Sequence, residues 1–298
     1  MNVVEIPVTF DCAGEALVGI VHAPDQPASR GVLAMAAGGP QFRAGCCRQL
    51  LYLGRRLAAG GTPVMRFDYR GLGDASGPFG GFTETEADIR AAIEKFRQTV
   101  PALREVVLWG GCDAASAGMI HGWKLPEVTG LALGNPYSHS EATGEQAMVK
   151  HYYWQRLREP TFWKKVFSLR FNPLPALATV ARVAKRRLRP DASVATSGTT
   201  DTLEQQPFQV RMRVGTERFA GHVLLLMSGR SLVSKEFDEL VATDPAWPKA
   251  LASCASLTRH DLPEADQAFS TIAARDEVIE LAARWLAELP PAPPNAQK

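Results

Sequence analysis

Val106-Val107-Leu108-Trp109-Gly110-Gly111-Cys112-Asp113-Ala114-Ala115-Ser116-Ala117 is the stretch on which the fold turns. Its apolar start predicts a short buried strand, its glycines a sharp turn, and its small-residue end a helix. Cys112, a side chain able to act as a nucleophile, stands at the turn. A strand–turn–helix elbow of this kind holds a reactive residue on a cramped backbone above a parallel strand, and only small neighbours fit around it. Gly110 and Ala114, two residues either side of Cys112, meet that demand. In the usual G-x-S-x-G pattern, serine stands in place of Cys112 and glycine in place of Ala114. Ser116 is a rival nucleophile because Ala114-x-Ser116-x-Gly118 has similar spacing, but it falls a full turn into the helix.

The chain around the elbow alternates strands with helices. Residues 3–10 and 16–21 read as strands joined by a hairpin turn at Asp11-Cys12-Ala13-Gly14. Residues 31–37 form a continuous apolar strand ending in Gly38-Gly39-Pro40, followed by a helix over 48–59 and a strand over 62–67. A helix over 84–99 follows, with Thr83 and Glu86 spaced as a capping box. The elbow strand comes next, then a helix from 113 to about 123 and a strand over 128–133. Such alternation predicts a mostly parallel, doubly wound α/β sheet. Between 140 and 214 the alternation stops and aromatic-rich helical segments take over, which predicts a helical lid inserted over the C-terminal edge of the sheet. Strands over 222–227 and 256–259 and a helix over 275–289 complete the pattern. The expected organisation is therefore a core over 1–139, a lid over 140–214, a second core part over 215–289 and a disordered Pro-rich tail over 290–298.

Composition narrows the function classes. A net charge of +2 gives no general case for nucleic-acid binding. Five cysteines without C-x-x-C spacing suit neither a zinc site nor a disulfide framework, so a reducing compartment is expected. The start Met1-Asn2-Val3-Val4-Glu5 does not read as a signal peptide, and no stretch approaches the roughly 18 apolar residues of a membrane span. A cytoplasmic location is the expectation, with no metal or cofactor and no membrane span.

A thiol attacks only as thiolate, so Cys112 needs a basic partner or a depressed pKa, and the N-terminus of the helix opening at Asp113 favours the anion. Glycines at the end of a strand let N–H groups approach a developing oxyanion, which makes the backbone N–H groups of Gly39 and Asp113 the candidate donors. Asp68-Tyr69-Arg70-Gly71 reads as a structural loop. In a fold of this type the acid and the histidine follow later strands. After Ser228-Gly229, however, come Arg230 and Ser231, and Glu236, Asp238 and Glu239 already fall in the next helix. His260 lies near the histidine loop but still on its strand.

With Gly38-Gly39-Pro40-Gln41-Phe42-Arg43, Arg66-Phe67-Asp68-Tyr69-Arg70-Gly71 and Gly111-Cys112-Asp113-Ala114-Ala115-Ser116-Ala117 in place, the chain resembles the exosortase A system-associated hydrolase type 1 family. The likeness extends to Gly134-Asn135-Pro136-Tyr137, Lys150-His151-Tyr152-Tyr153 and His260-Asp261-Leu262-Pro263. The resemblance implies an α/β-hydrolase fold, a cysteine in the elbow, and a link to bacterial exopolysaccharide and protein-sorting loci. It also implies three departures. Relatives read Ala-Asp-His-Thr-Phe-Ser where this chain has Ala265-Asp266-Gln267-Ala268-Phe269-Ser270, so Gln267 occupies the position of the catalytic base. Ser231 occupies that of the acid, and Cys46-Cys47 replaces a serine–histidine pair after the oxyanion glycines.

Glutamine cannot take a proton from a thiol, and serine cannot orient an imidazolium that is absent. Two readings therefore stand side by side. One is a Cys112-dependent acyl (ester or thioester) hydrolase or transferase, acting on a small-molecule acyl substrate under the lid, with His260 as substitute base. The other is a catalytically inactive binding protein that keeps the hydrolase pocket. A third takes Lys185-Arg186-Arg187-Leu188-Arg189 as a membrane-surface or polyanion contact, although one short basic run usually marks a solvated helix face.

Overall fold

The first turn sets the hairpin. Ala13 and Gly14 both adopt positive φ (57° and 84°), the pairing that matches a two-residue turn to the right-handed twist of its strands. Strand β1 (Val3–Cys12) thereby pairs antiparallel with β2 (Glu15–Pro24), Cys12 opposite Glu15. The computed structural model describes residues 2–37, 41–139 and 202–290. Residues 1, 38–40, 140–201 and 291–298 lie outside the description, and with them Gly39, most of the expected lid, the basic run at 185–189 and nearly all of the expected tail.

Alternation then proceeds as β3 (Arg30–Met35), α1 (Gln49–Ala59), β4 (Val64–Phe67), α2 (Glu86–Thr99), β5 (Glu105–Gly111), α3 (Asp113–His121) and β6 (Val128–Gly134). The second part contains α4 (Phe208–Arg218), β7 (His222–Ser228), α5 (Leu232–Thr243), α6 (Ala246–Ala252), β8 (Ser256–Leu262) and α7 (Ile272–Glu288). The eight strands form one sheet in the order β1-β2-β4-β3-β5-β6-β7-β8. Pairing is antiparallel through β1, β2 and β4 and parallel from β4 to β8.

The period-two alternation of side chains divides the core between the two faces of the sheet. On β5, Val106 and Leu108 join α2 and α3 in one cluster, while Val107 and Trp109 join α1 and α7 in the other. Both faces of β5 are covered, which is why its sequence is continuously apolar. Shortening a side chain such as Leu108, fully buried, would cost about 2–5 kcal/mol in lost transfer energy and cavity.

Thr83 and Glu86 form no capping box: residues 82–84 turn as a short 3-10 helix, and the Thr85 hydroxyl donates to the Phe82 carbonyl instead. α4 runs through residue 214, the expected end of the insertion, and packs on α3. Gly215 makes that crossing possible, since a Cβ there would sit 2.1 Å from the Met119 carbonyl oxygen. Pro290, expected in the tail, accepts a hydrogen bond through its carbonyl from Arg30.

Candidate active site

Cys112 caps the junction between β5 and α3 with φ 54° and ψ −123°, a left-handed backbone uncommon for any residue but glycine. The close packing demanded by the sequence is literal. A Cβ on Gly110 would come within 2.6 Å of the Ala114 carbonyl carbon. The elbow is tied to the neighbouring strand end: Cys112 N–H donates to the Gly134 carbonyl at 2.8 Å, and the Cys112 carbonyl accepts from Ser116 and Tyr137 N–H, each at 3.2 Å. Ser116, the rival nucleophile, is fully buried and donates its hydroxyl to the Tyr137 carbonyl at 2.7 Å. It ties the helix to the loop after β6 and does not reach the cavity.

That cavity, about 370 Å³, opens beside Cys112 and is lined among others by Trp109, Asp113, Cys46, Asp266, Gln267 and Phe269. The Gln267 side-chain amide donates to Cys112 Sγ at 3.4 Å. Burial pushes the Cys112 thiol above its ordinary pKa, and the neighbouring Asp113 carboxylate adds to the rise. The Asp113 backbone N–H and the Gln267 amide, both donating toward sulfur, oppose it. The Asp113 backbone N–H thus faces the Cys112 sulfur, while Gly39 lies outside the described residues.

A buried clamp built on Asn135 aims the 266–269 loop. Asn135, fully buried and at φ 47°, donates through Nδ2 to Ser228 Oγ at 2.7 Å and to the Gln267 carbonyl at 2.9 Å. Its Oδ1 accepts from Ser228 N–H at 2.7 Å, and Ser228 Oγ donates to the Asp266 carbonyl at 2.7 Å. The one available signal was Asn135-Pro136 at a strand end, since asparagine tolerates the left-handed region. Asp266 accepts from Ser270 through N–H at 2.8 Å and through the hydroxyl, and these bonds hold its carboxyl below the usual range.

His260 does not join this group. Strand β8 extends to Leu262, so His260 is held in the ladder opposite Leu226, and the loop that reaches the cavity begins only afterwards. Ser231 is buried and caps α5, its hydroxyl accepting from Ser234 N–H at 3.2 Å. Cys46 lines the cavity, and its sulfur lies 3.7 Å from that of Cys47, a thiol pair that is not a disulfide. Burial is the main cause of a raised Cys46 pKa. Asp68 is structural as expected. It is fully buried, accepts from Arg43 N–H at 2.5 Å and Asp74 N–H at 3.1 Å, and pairs with the Arg43 guanidinium.

One further polar pair stands at the same end of the sheet. His139, on the loop after β6, places Nδ1 2.9 Å from Oε1 of Glu236 on α5. The carboxylate is 3 % exposed and the imidazole 49 %. Among the described residues no group of three or more His, Cys, Asp or Glu side chains is arranged to hold a metal ion. No described helix is long and apolar enough to cross a membrane.

No protein-family model matches the chain, and no curated protein matches it in sequence. Solved structures do match in fold. An esterase from Pyrococcus furiosus aligns at 13 % identity over 96 % of this chain and 92 % of its own, with a TM-score of 0.62. A thermostable carboxyl esterase from Bacillus coagulans aligns at 13 % identity over 96 % and 98 %, with a TM-score of 0.60. An alpha-beta serine hydrolase homologue from Coxiella burnetii aligns at 12 % identity over 94 % and 97 %, with a TM-score of 0.56. Together with the sheet order and the elbow, these likenesses establish that the chain has the α/β-hydrolase fold.

Proposed function

We propose that the protein is an acyl hydrolase or acyltransferase in which Cys112 is the nucleophile, attacking an ester or thioester in the adjoining cavity. The observation that carries this reading is the strained backbone of Cys112 at the strand–helix junction, with its sulfur facing a cavity large enough for a small acyl group. In the reaction, sulfur bonds to the carbonyl carbon, the leaving alcohol or thiol departs with a proton, and water or a second acceptor then takes the acyl group. The N–H groups of Asp113 and Gly39 would hold the oxyanion. The resemblance to exosortase A system-associated hydrolases of type 1 suggests an acyl substrate handled near exopolysaccharide or protein-sorting machinery, in the cytoplasm.

A second reading, a catalytically inactive binding protein, is favoured by the Gln267 contact. An amide that donates to sulfur cannot accept its proton, and burial keeps the thiol protonated at neutral pH. Turnover of short-chain nitrophenyl esters and acyl thioesters by wild type and by Cys112→Ala separates the two. The enzyme reading expects loss of turnover by about 10²-fold or more in the variant. Equal rates in both proteins would reject it.

A further inference from the structure

We propose that His139, oriented by Glu236, is the proton acceptor for chemistry at Cys112, serving from the loop after β6 in place of the histidine missing from the loop after β8. The proposal rests on Cys112 as nucleophile and supplies the base that Gln267 cannot be.

Placement singles out His139. His22 and His121 are buried within the core, at 0 % and 1 % exposure. His222 opens β7 and bonds Ser256 at 2.8 Å, at the opposite end of the sheet from the elbow. His260 is held in the β8 ladder. Among the described histidines, His139 alone lies on a loop leaving the C-terminal end of the strand beside β5. There β6 ends at Gly134, paired with Gly111 immediately before Cys112.

Rigidity keeps it in place. The chain between elbow and imidazole is fastened at Tyr137, whose N–H donates to the Cys112 carbonyl at 3.2 Å and whose carbonyl accepts from Ser116 Oγ at 2.7 Å. The Tyr137 ring stacks on Phe208 at 5.9 Å and 8°, and lies 6.4 Å from the His139 ring. From α4, Gln209 Nε2 donates to the His139 carbonyl at 3.1 Å. The loop that carries the imidazole is therefore pinned to the nucleophile's own backbone and to a helix of the core.

Chemistry suits it to the role. A buried carboxylate needs a donor, and His139 Nδ1–H supplies one to Glu236. With Nδ1–H given to Glu236, Nε2 would carry the lone pair, the role a carboxylate-held imidazole plays in acyl transfer. Among the described residues, Glu236 from α5 and Tyr137 on the same loop are the titratable side chains in contact with the ring. Glu236 also stands on the helix that follows β7, so the acid is supplied from the expected part of the fold, five residues beyond Ser231.

The step balances without any added reactant but water. The Cys112 proton passes to Nε2, and the thiolate attacks the acyl carbon. The leaving oxygen or sulfur takes that proton from the imidazolium. In the second half, His139 accepts a proton from the water that attacks the thioester, and returns it to the departing thiolate.

The test reads Cys112 directly. Iodoacetamide labelling of the Cys112 peptide, followed by mass spectrometry across neutral to alkaline pH, is compared in wild type, His139→Gln, Glu236→Gln and His139→Gly with added free imidazole. Loss of a general base predicts a fall of about 10²-fold or more in the neutral-pH rate for His139→Gln, with reactivity recovering only at alkaline pH. Glu236→Gln should fall less, and imidazole should restore His139→Gly. An unchanged neutral rate in His139→Gln overturns the proposal, as does a loss that imidazole fails to rescue, since that would be structural damage. If ester turnover survives Cys112→Ala while labelling still depends on His139, the nucleophile reading fails and the pairing of His139 with Cys112 stands.

Discussion

At Cys112 two demands meet on one residue. A positive φ lifts the side chain clear of the strand and stores roughly 1–3 kcal/mol of backbone strain, while burial and the Asp113 carboxylate oppose ionisation of the thiol. The partner that could relieve the second problem is Gln267, 3.4 Å away and held in place by its backbone bond to Asn135. Because the loop is anchored through main-chain atoms, Gln267→His should put an imidazole beside the sulfur without moving the loop. We expect the neutral-pH alkylation rate of Cys112 to rise by about 10-fold or more in that variant, measured on the labelled peptide. No rise would mean that residue 267 does not occupy the base position. Ser231→Asp can be combined with it safely, since aspartate caps a helix as well as serine does.

At the scale of elements, the decisive contact is between β5 and α3. The helix begins one residue after the strand turns, and the space left for residue 110 admits no side chain. Gly110→Ala should destabilise the protein by about 3 kcal/mol through overpacking against backbone that cannot yield, read as a lower urea midpoint. A midpoint unchanged within error would show that the elbow is looser than its geometry implies. The elbow's strand, turn and helix were legible because each is encoded in adjacent residues. The α2 capping box failed because residues 82–84 turn as a 3-10 segment, a choice set by packing of Phe82 against Tyr137 and Phe208. The crossing of α4 on α3 was illegible for a similar reason: α4 looks like any short helix until Gly215 is seen against Met119.

Across the whole molecule, two histidines buried in the core link stability to pH. Burial, reinforced by nearby cations, lowers His22 to about 4, and burial above all does the same to His121. His22 Nε2 accepts from Arg66 Nε at 2.9 Å, which requires the neutral ring. In the unfolded chain both residues bind protons below about 6.5, but in the folded chain only near 4. The unfolded state therefore holds more protons between those values. Their contribution is present above pH 6.5 and lost as pH falls toward 4, roughly a few kcal/mol between them. Urea midpoints should decline across that window, and His121→Asn should flatten the decline. An identical slope in the variant would show that His121 does not drive it.

The sequence by itself determined the doubly wound core, the elbow and the identity of the residue on it. Those features depend on local periodicity, turn chemistry and the size of neighbouring side chains. Gln267 was singled out only through a resemblance, and the structure sets its side-chain amide 3.4 Å from Cys112 Sγ. What only the tertiary structure decided is which distant groups meet. The Asn135–Ser228 clamp joins residues 93 positions apart, and the His139–Glu236 pair joins residues 97 apart. The structure also sets His260 within the β8 ladder by running that strand three residues past 259. Each of these depends on strand length and loop closure across the sheet, and no local pattern of residues encodes that.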